Sequence, residues 1–219
     1  RLPVVSIEQH GPHLPSDTDA FDADYLARKV AEACSPPKPL VFPPISYGVS
    51  YHHDDFSGTI SLSNETLSKL VYEIGMSAAR NGITKLLIIN GHGGNAPALK
   101  FAAQMINRDA HIFTSVDTGE TSDVDLSALC DTPNDVHAGE IETSRILHTH
   151  PQLVKGRGAA EYPCFPDGIL VRDKRRFWPG GVWGDPTRAS AEKGAEIERL
   201  VVESLSALID QIEQQPVEL

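Results

Sequence analysis

At 219 residues, with 40% hydrophobic and 22% charged residues, the chain has the size and composition of one globular domain, residues 1–219, able to bury a full core. A formal net charge of −11 and a pI near 5.2 argue against nucleic acid or an anionic membrane as the main partner. No apolar run approaches the roughly 18 residues that a membrane span needs, and Cys34, Cys130 and Cys164, scattered and in no metal-type spacing, fit free thiols in a reducing compartment, so the cytoplasm is expected.

Residues 2–7 form a short apolar run that reads as a buried strand. It delivers the segment Glu8-Gln9-His10-Gly11-Pro12-His13-Leu14-Pro15-Ser16-Asp17-Thr18-Asp19, in which Gly and Pro force the backbone to turn around carboxylates and imidazoles. Carboxylate plus imidazole in one tight loop at a strand end suits a divalent metal such as Zn, Mn or Fe, provided further ligands arrive from elsewhere. Residues 22–33 have helical composition and are closed off by Pro36-Pro37. A short apolar run at 40–42 is a second strand candidate, and residues 47–60 read as a loop rich in Gly, Ser, His and Asp. Asn64 is expected to cap the next helix with Glu65 in its first turn, since Leu67, Leu70, Val71, Ile74 and Ala78 follow at helical spacing. Gly82 ends that helix.

Residues 85–89 are the clearest strand, apolar on both faces as a central parallel strand should be. They run into Asn90-Gly91-His92-Gly93-Gly94-Asn95 and then a helix over 96–107. A strand is expected at 111–116, a helix at 138–148 and a long amphipathic helix at 189–214. Residues 156–186, rich in Gly, Pro, Arg and Trp, read as a functional loop or lid. Alternating strands and helices place the chain in the α/β class, with a mostly parallel central sheet covered by helices on both faces.

In such sheets ligands bind beyond the carboxyl ends of the strands, where both the Glu8 loop and the 90–95 loop emerge. The second presents His92 among glycines, leaving room for a metal or substrate against the backbone. A phosphate loop is the competing reading, but the spacing is not G-x-G-x-x-G and no Lys-Ser/Thr pair follows, so no nucleotide site is expected. A third cluster is Asp135-Val136-His137-Ala138-Gly139-Glu140-Ile141-Glu142-Thr143-Ser144. A helix starting near Ala138 would put His137 and Glu140 on one side of its first turn. Helix-start chemistry, with Asp135 as cap and acids in the first turn, accounts for Glu142. It does not account for a His at the positive end of a helix, where a neutral imidazole suits a proton shuttle or metal ligand.

Together these clusters resemble the creatininase (creatinine amidohydrolase) family. The shared residues are Glu8-Gln9-His10-Gly11-Pro12-His13-Leu14-Pro15 with Thr18-Asp19, Tyr47-Gly48 with Phe56-Ser57-Gly58-Thr59, Asn90-Gly91-His92-Gly93-Gly94-Asn95, and His137-Ala138-Gly139-Glu140 with Glu142-Thr143-Ser144. The resemblance implies a three-layer α/β/α sandwich, a binuclear metal centre holding two divalent ions (Zn, Mn or Fe) per subunit, and commonly a homo-oligomer, a hexamer. It implies Glu8 and His92 as ligands of one metal, His10 of the other, and Asp19, preferred over Asp17 by its spacing from Glu8, as the bridge. Creatininase carries a Glu two residues after the His of its Asn-Gly-His loop, where this chain has Gly94. Relatives with the Gly-Gly version carry a Glu in the His-Ala-Gly-Glu segment, which assigns Glu140 to the second metal.

The expected activity is that of a metal-dependent amidohydrolase, cleaving a C–N bond other than a peptide bond in a small amide, cyclic amide or formamide by a metal-activated water. His137, matching the family's catalytic His, would protonate the leaving nitrogen. His13 would orient a ligand or stabilise the loop. His53, Trp178 and Trp183 are the pocket candidates. The alternative is a metal-dependent peptidase trimming a short peptide precursor, favoured by an open pocket without a lid from 156–186. A third reading is a catalytically inactive metal-binding member, against which the retained ligand types and His137 count.

Overall fold

The computed structural model describes residues 1–117, 124–126 and 128–217. The apolar runs near the start and in the middle of the chain pair side by side. β1 (Leu2–Val4) and β2 (Lys85–Asn90) are parallel neighbours, and β2 also pairs in parallel with β3 (Phe113–Asp117), giving the order β1-β2-β3. β1 is shorter than the apolar run that contains it. Its ladder ends where Val4 meets Asn90, and Ile7 instead bridges antiparallel to Ile60. The run at 40–42 lies along the free edge of β1, with Phe42 N–H donating to Arg1 O (2.9 Å) and Ile45 N–H to Pro3 O (3.0 Å). It does not become a strand, because Pro39, Pro43 and Pro44 supply no N–H to a ladder.

The helices are α1 (Thr18–Ala33), α2 (Asn64–Arg80), α3 (Ala96–Asp109), α4 (Glu140–Thr149) and α5 (Ala191–Glu213). Side chains of the central strand alternate between two cores. Leu86 and Ile88 join Leu67 and Val71 of α2 and Leu99 and Ile106 of α3. Leu87 and Ile89 join Leu26 and Val30 of α1 and Leu205 and Ile209 of α5. Helices therefore cover both faces of the parallel sheet, the three-layer α/β/α arrangement. Each fully buried Leu or Ile contributes roughly 1.5–3 kcal/mol, which is why one six-residue strand apolar on both faces anchors both layers. α4 packs on α5 and α1.

Among the helix starts that differ from the expectation, two set the site. α1 begins about a turn early, so Asp19 falls in its first turn. α4 begins at Glu140 rather than at 138, because Ala138 has φ +49°, a left-handed backbone that no helix accommodates. In α2 the cap is Ser63, whose Oγ accepts from Thr66 N–H at 3.1 Å, and Asn64 is the first helical residue. Among the described residues no helix is long and apolar enough to cross a membrane.

Candidate metal centre and its cavity

With Val4 set opposite Asn90, the loops leaving β1 and β2 emerge together at the carboxyl edge of the sheet. One carries Glu8 and His10 and runs into Asp19 of α1; the other carries His92. They are met by His52 and His53 on a single 3-10 turn (Tyr51–His53) and by His137 and Glu142 at the start of α4. Glu8, His10, Asp19, His53, His92 and His137 are all buried. His10 Nε2 lies 3.0 Å from Asp19 Oδ1 and 3.7 Å from Glu142 Oε2. His92 Nδ1 lies 3.2 Å from Asp19 Oδ2 and 3.3 Å from Glu8 Oε1. Each oxygen of Asp19 thus faces a different imidazole, with Glu8 on the His92 side and Glu142 on the His10 side. His137 Nδ1 stands 3.5 Å from Glu8 Oε1 and 4.0 Å from Glu142 Oε2. Asp17, the rival acid, stays outside at the N-cap of α1.

The imidazoles are oriented by their outer nitrogens. His10 Nδ1 donates to Glu8 O (3.2 Å), His92 Nε2 to Val49 O (3.0 Å) and His137 Nε2 to Gln9 O (2.8 Å). A backbone carbonyl accepts only, so in each neutral ring the lone pair is on the nitrogen facing the carboxylates, the arrangement that metal-ligating histidines require. Among the described residues, Glu8 Oε2, Asp19 Oδ2, His10 Nε2 and His53 Nε2 are buried without a formed hydrogen bond. Buried polar atoms are seldom left so. Ligand atoms of Glu8, His10 and Asp19 converge within 4.8 Å, and a borderline divalent cation fits this carboxylate–imidazole set.

Electrostatics agree. Burial pushes the His10 imidazolium down, but the Asp19, Glu142 and Glu8 carboxylates outweigh it and hold the ring protonated up to about 10. His92 is likewise raised, burial being overridden by Asp19 and Glu8. Burial alone would raise the Glu8 and Asp19 carboxyls; His92 pulls Glu8 below its ordinary value, and His10 with His92 does the same to Asp19. Burial, reinforced by the charge of His10, keeps His137 below an ordinary imidazole. Protons thus occupy the places in the metal-free chain that cations would take.

The structure corrects one assignment. Glu140 does not reach the cluster. Its carboxylate is fully buried on the other side of α4, where it accepts from Asp131 N–H (3.0 Å) and Thr132 N–H (2.7 Å) and pairs with Lys193 Nζ. Glu142 stands at the cluster instead, its Oε2 also accepting from Ala138 N–H at 2.5 Å. The left-handed turn at Ala138 is the cause: it takes His137 off the helix, so the three-residue spacing to Glu140 no longer implies a shared face. Asp135 caps α4 as expected, accepting from Glu140 N–H and Ile141 N–H, both at 2.8 Å. Gly94 also finds its reason. A Cβ there would come within 2.1 Å of Val49 O and 2.6 Å of His92 Nε2, so no side chain can stand at that place in this backbone.

A cavity of about 690 Å³ opens onto Glu8, Asp19, His92, His137 and Glu142. His53, Trp178 and Trp183 all stand on its wall, as do Ile169 and Leu170. Residues 156–186 therefore wall the site rather than leaving it bare. They are pinned down by Lys174, whose Nζ pairs with Asp54 and whose N–H donates to Asp55 Oδ2 at 2.6 Å. The Trp178 indole packs on His53 (4.7 Å between centroids) and edge-on to His137 (5.6 Å), with its N–H satisfied by Val182 O. Trp183 is held through its backbone, exchanging hydrogen bonds with His137. His13 lies outside the cluster: its Nε2 bonds Thr143 Oγ1 at 2.9 Å, tying the first loop to α4. His52, in the His- and Asp-rich loop that the family resemblance places near the site, stacks on His92 (5.3 Å between centroids). Residue type alone gave no sign of one further contributor, Gln9, which bridges His53 and the backbone of Gly11.

The chain is similar to known proteins in sequence and in fold. The creatininase family profile, described as creatinine amidohydrolase, matches residues 1–209. The mycofactocin precursor peptide peptidase of Mycobacterium ulcerans is 38% identical over 208 residues, covering 90% of this chain and 78% of that protein. The creatinine amidohydrolase of Pseudomonas putida is 26% identical over 230 residues, covering 95% and 87%. A solved structure of a mutant creatininase complexed with creatine superposes with a TM-score of 0.86 at 26% identity, over 98% of this chain and 92% of that one.

Proposed function

Because the chain belongs to the creatininase family, whose members are metal-dependent amidohydrolases, we propose that it is a metal-dependent peptidase cleaving a C–N amide bond of a short peptide. The observation that carries this reading is the volume and character of the cavity. About 690 Å³ walled by Ile169, Leu170, Trp178 and Trp183 matches the upper part of the roughly 300–1,000 Å³ range of ligand pockets, far more than a small cyclic amide fills. The name of the Mycobacterium relative supports the same choice. Although 156–186 forms a wall, it leaves room for several residues of substrate. The reading extends to a single domain over residues 1–219, to a homo-oligomer, a hexamer as the family resemblance implies, and to the cytoplasm, where free Cys34, Cys130 and Cys164 suit reducing conditions.

In this reading Glu8 and His92 would hold one divalent ion, Zn, Mn or Fe, His10 and Glu142 would hold a second, and Asp19 would serve both. When bound, such a pair would supply carbonyl polarisation and lower the pKa of water towards neutrality. His137, neutral and anchored by its Nε2–H on Gln9 O, takes a proton from the attacking water on Nδ1 and delivers it to the leaving nitrogen as the C–N bond breaks. Trp178, packed on His137 and His53, keeps bulk water from that ring. The metal-loaded protein, incubated with short peptides, cyclic amides and formamides and followed by mass spectrometry, is expected to release two fragments from a peptide. Turnover of a cyclic amide or formamide with every peptide left intact would reject the peptidase reading.

Metal uptake is also expected to depend on pH with a definite sign. His10 and His92 have raised pKa values in the metal-free chain, so both hold protons at pH 7 and lose them only as pH climbs, His10 at about 10. Cations compete with those protons. Apparent affinity should rise with pH through the neutral range, and uptake at pH 7 should release about two protons per chain. Calorimetric titrations in buffers of different ionisation enthalpy measure this, and uptake without net proton release would contradict it.

A further inference from the structure

Resting on the amide-hydrolysis reading above, we infer that His53 is a substrate-contacting residue whose Nε2–H donates a hydrogen bond to the scissile carbonyl oxygen, and that Gln9 fixes it in that role. Gly11 N–H donates to Gln9 Oε1 at 2.8 Å. With the amide oxygen so placed, Gln9 Nε2 is the atom that meets His53 Nδ1, also at 2.8 Å; it lies 3.2 Å from His137 Nε2 as well, whose hydrogen goes to the nearer backbone Gln9 O at 2.8 Å. An amide NH2 only donates, so His53 Nδ1 carries the lone pair and its single hydrogen is on Nε2. This is the reverse of His10, His92 and His137, which each spend a hydrogen on a backbone carbonyl and turn a lone pair inward. Of these four rings, three thus present acceptors, and His53 presents a donor.

Among the described residues that donor forms no hydrogen bond. His53 is wholly buried, and the nearest carboxylate atom, Glu8 Oε1, is 3.5 Å from its Nε2. Leaving a buried N–H unsatisfied costs about 1–3 kcal/mol, so a partner supplied by the ligand recovers what the apo fold forgoes. The ring cannot turn aside, being stacked on His137 at 4.3 Å and packed under Trp178 at 4.7 Å. It stands on the wall of the cavity that also exposes Glu8, His92 and His137. A fixed donor at such a place stabilises the negative charge that grows on a carbonyl oxygen under attack. The hydrogen stays on His53 throughout, while proton transfer belongs to His137.

The test combines a readout that needs no substrate with one that does. In the zinc-loaded protein, long-range proton–nitrogen NMR of the histidine rings should show His53 protonated on Nε2; protonation on Nδ1 would overturn the inference outright. His53→Phe keeps the stacked ring but removes the donor. It should retain the metal load and affinity of the unaltered protein while kcat on whichever amide that protein turns over falls by about 10²–10³-fold with little change in KM. His53→Gln, which restores an N–H, should recover part of the loss. Gln9→Glu supplies an acceptor to Nδ1 and should move the hydrogen there, lowering kcat without lowering metal content. If His53→Phe instead loses metal in step with activity, His53 serves Glu8 or the metal and not the substrate. Failure of every peptide as substrate would reject the peptidase reading while the tautomer measurement still decided this one.

Discussion

Asp19→Ala is expected to emerge from purification with little of the divalent metal that the unaltered chain retains, and to bind added metal more than about 100-fold more weakly, beyond the range typical of an outer hydrogen-bond partner. The reason is its position between two imidazoles. Oδ1 is 3.0 Å from His10 Nε2 and Oδ2 is 3.2 Å from His92 Nδ1, so removing one side chain withdraws an oxygen from both halves of the cluster. Glu8 and Glu142, placed on opposite sides, each serve one half and cannot substitute. The variant should still fold. His10 is held protonated mainly because Asp19 faces it across buried space, and without that carboxylate it becomes neutral rather than remaining an unpaired buried charge. Elemental analysis alongside circular dichroism reads both quantities. A folded variant carrying the full metal load would exclude Asp19 as the bridge.

How much of this was legible in the sequence depends on what fixes each residue's direction. Glu8, His10 and His92 follow directly from strands whose apolar pattern is strong, and parallel pairing of those strands leaves their loops no choice but to emerge together. Asp19 was legible only through the family resemblance, whose spacing from Glu8 preferred it to Asp17, because the helix that carries it starts at Thr18 and not at the expected residue 22. The layering was plain, because residues 85–89 are apolar on both faces and demand cover on each. The start of α4 was not. Its phase is set by one alanine at φ +49°, a conformation that residue type does not announce. A shift of two residues at a helix start turns the facing residue by more than half a turn, which exchanged Glu142 for Glu140. Gln9 was hidden differently: its part depends on the His53 ring brought in from a loop distant in sequence, which no local pattern encodes.

Exchanging those two acids gives the sharpest contrast the site offers. Glu142→Gln is expected to lose one of two bound ions, or to weaken it more than about 100-fold, with the other retained. Its Oε2 lies 3.7 Å from His10 Nε2 and 4.0 Å from His137 Nδ1, on the side of the cluster away from His92, so the half built on Glu8 and His92 keeps its ligands. Activity should fall with that ion, since His137 loses the carboxylate that faces its working nitrogen. Glu140→Gln should do the opposite. Its carboxylate binds two backbone N–H groups and Lys193, so the substitution leaves Lys193 with Asp131 and the Arg188 carbonyl as its remaining partners and destabilises the fold by about 1–3 kcal/mol, with metal stoichiometry unchanged. Metal titration and thermal melting of the two variants separate the cases. If Glu140→Gln were the one to lose an ion, the helix phase at α4 would be wrong, and with it the placement of His137.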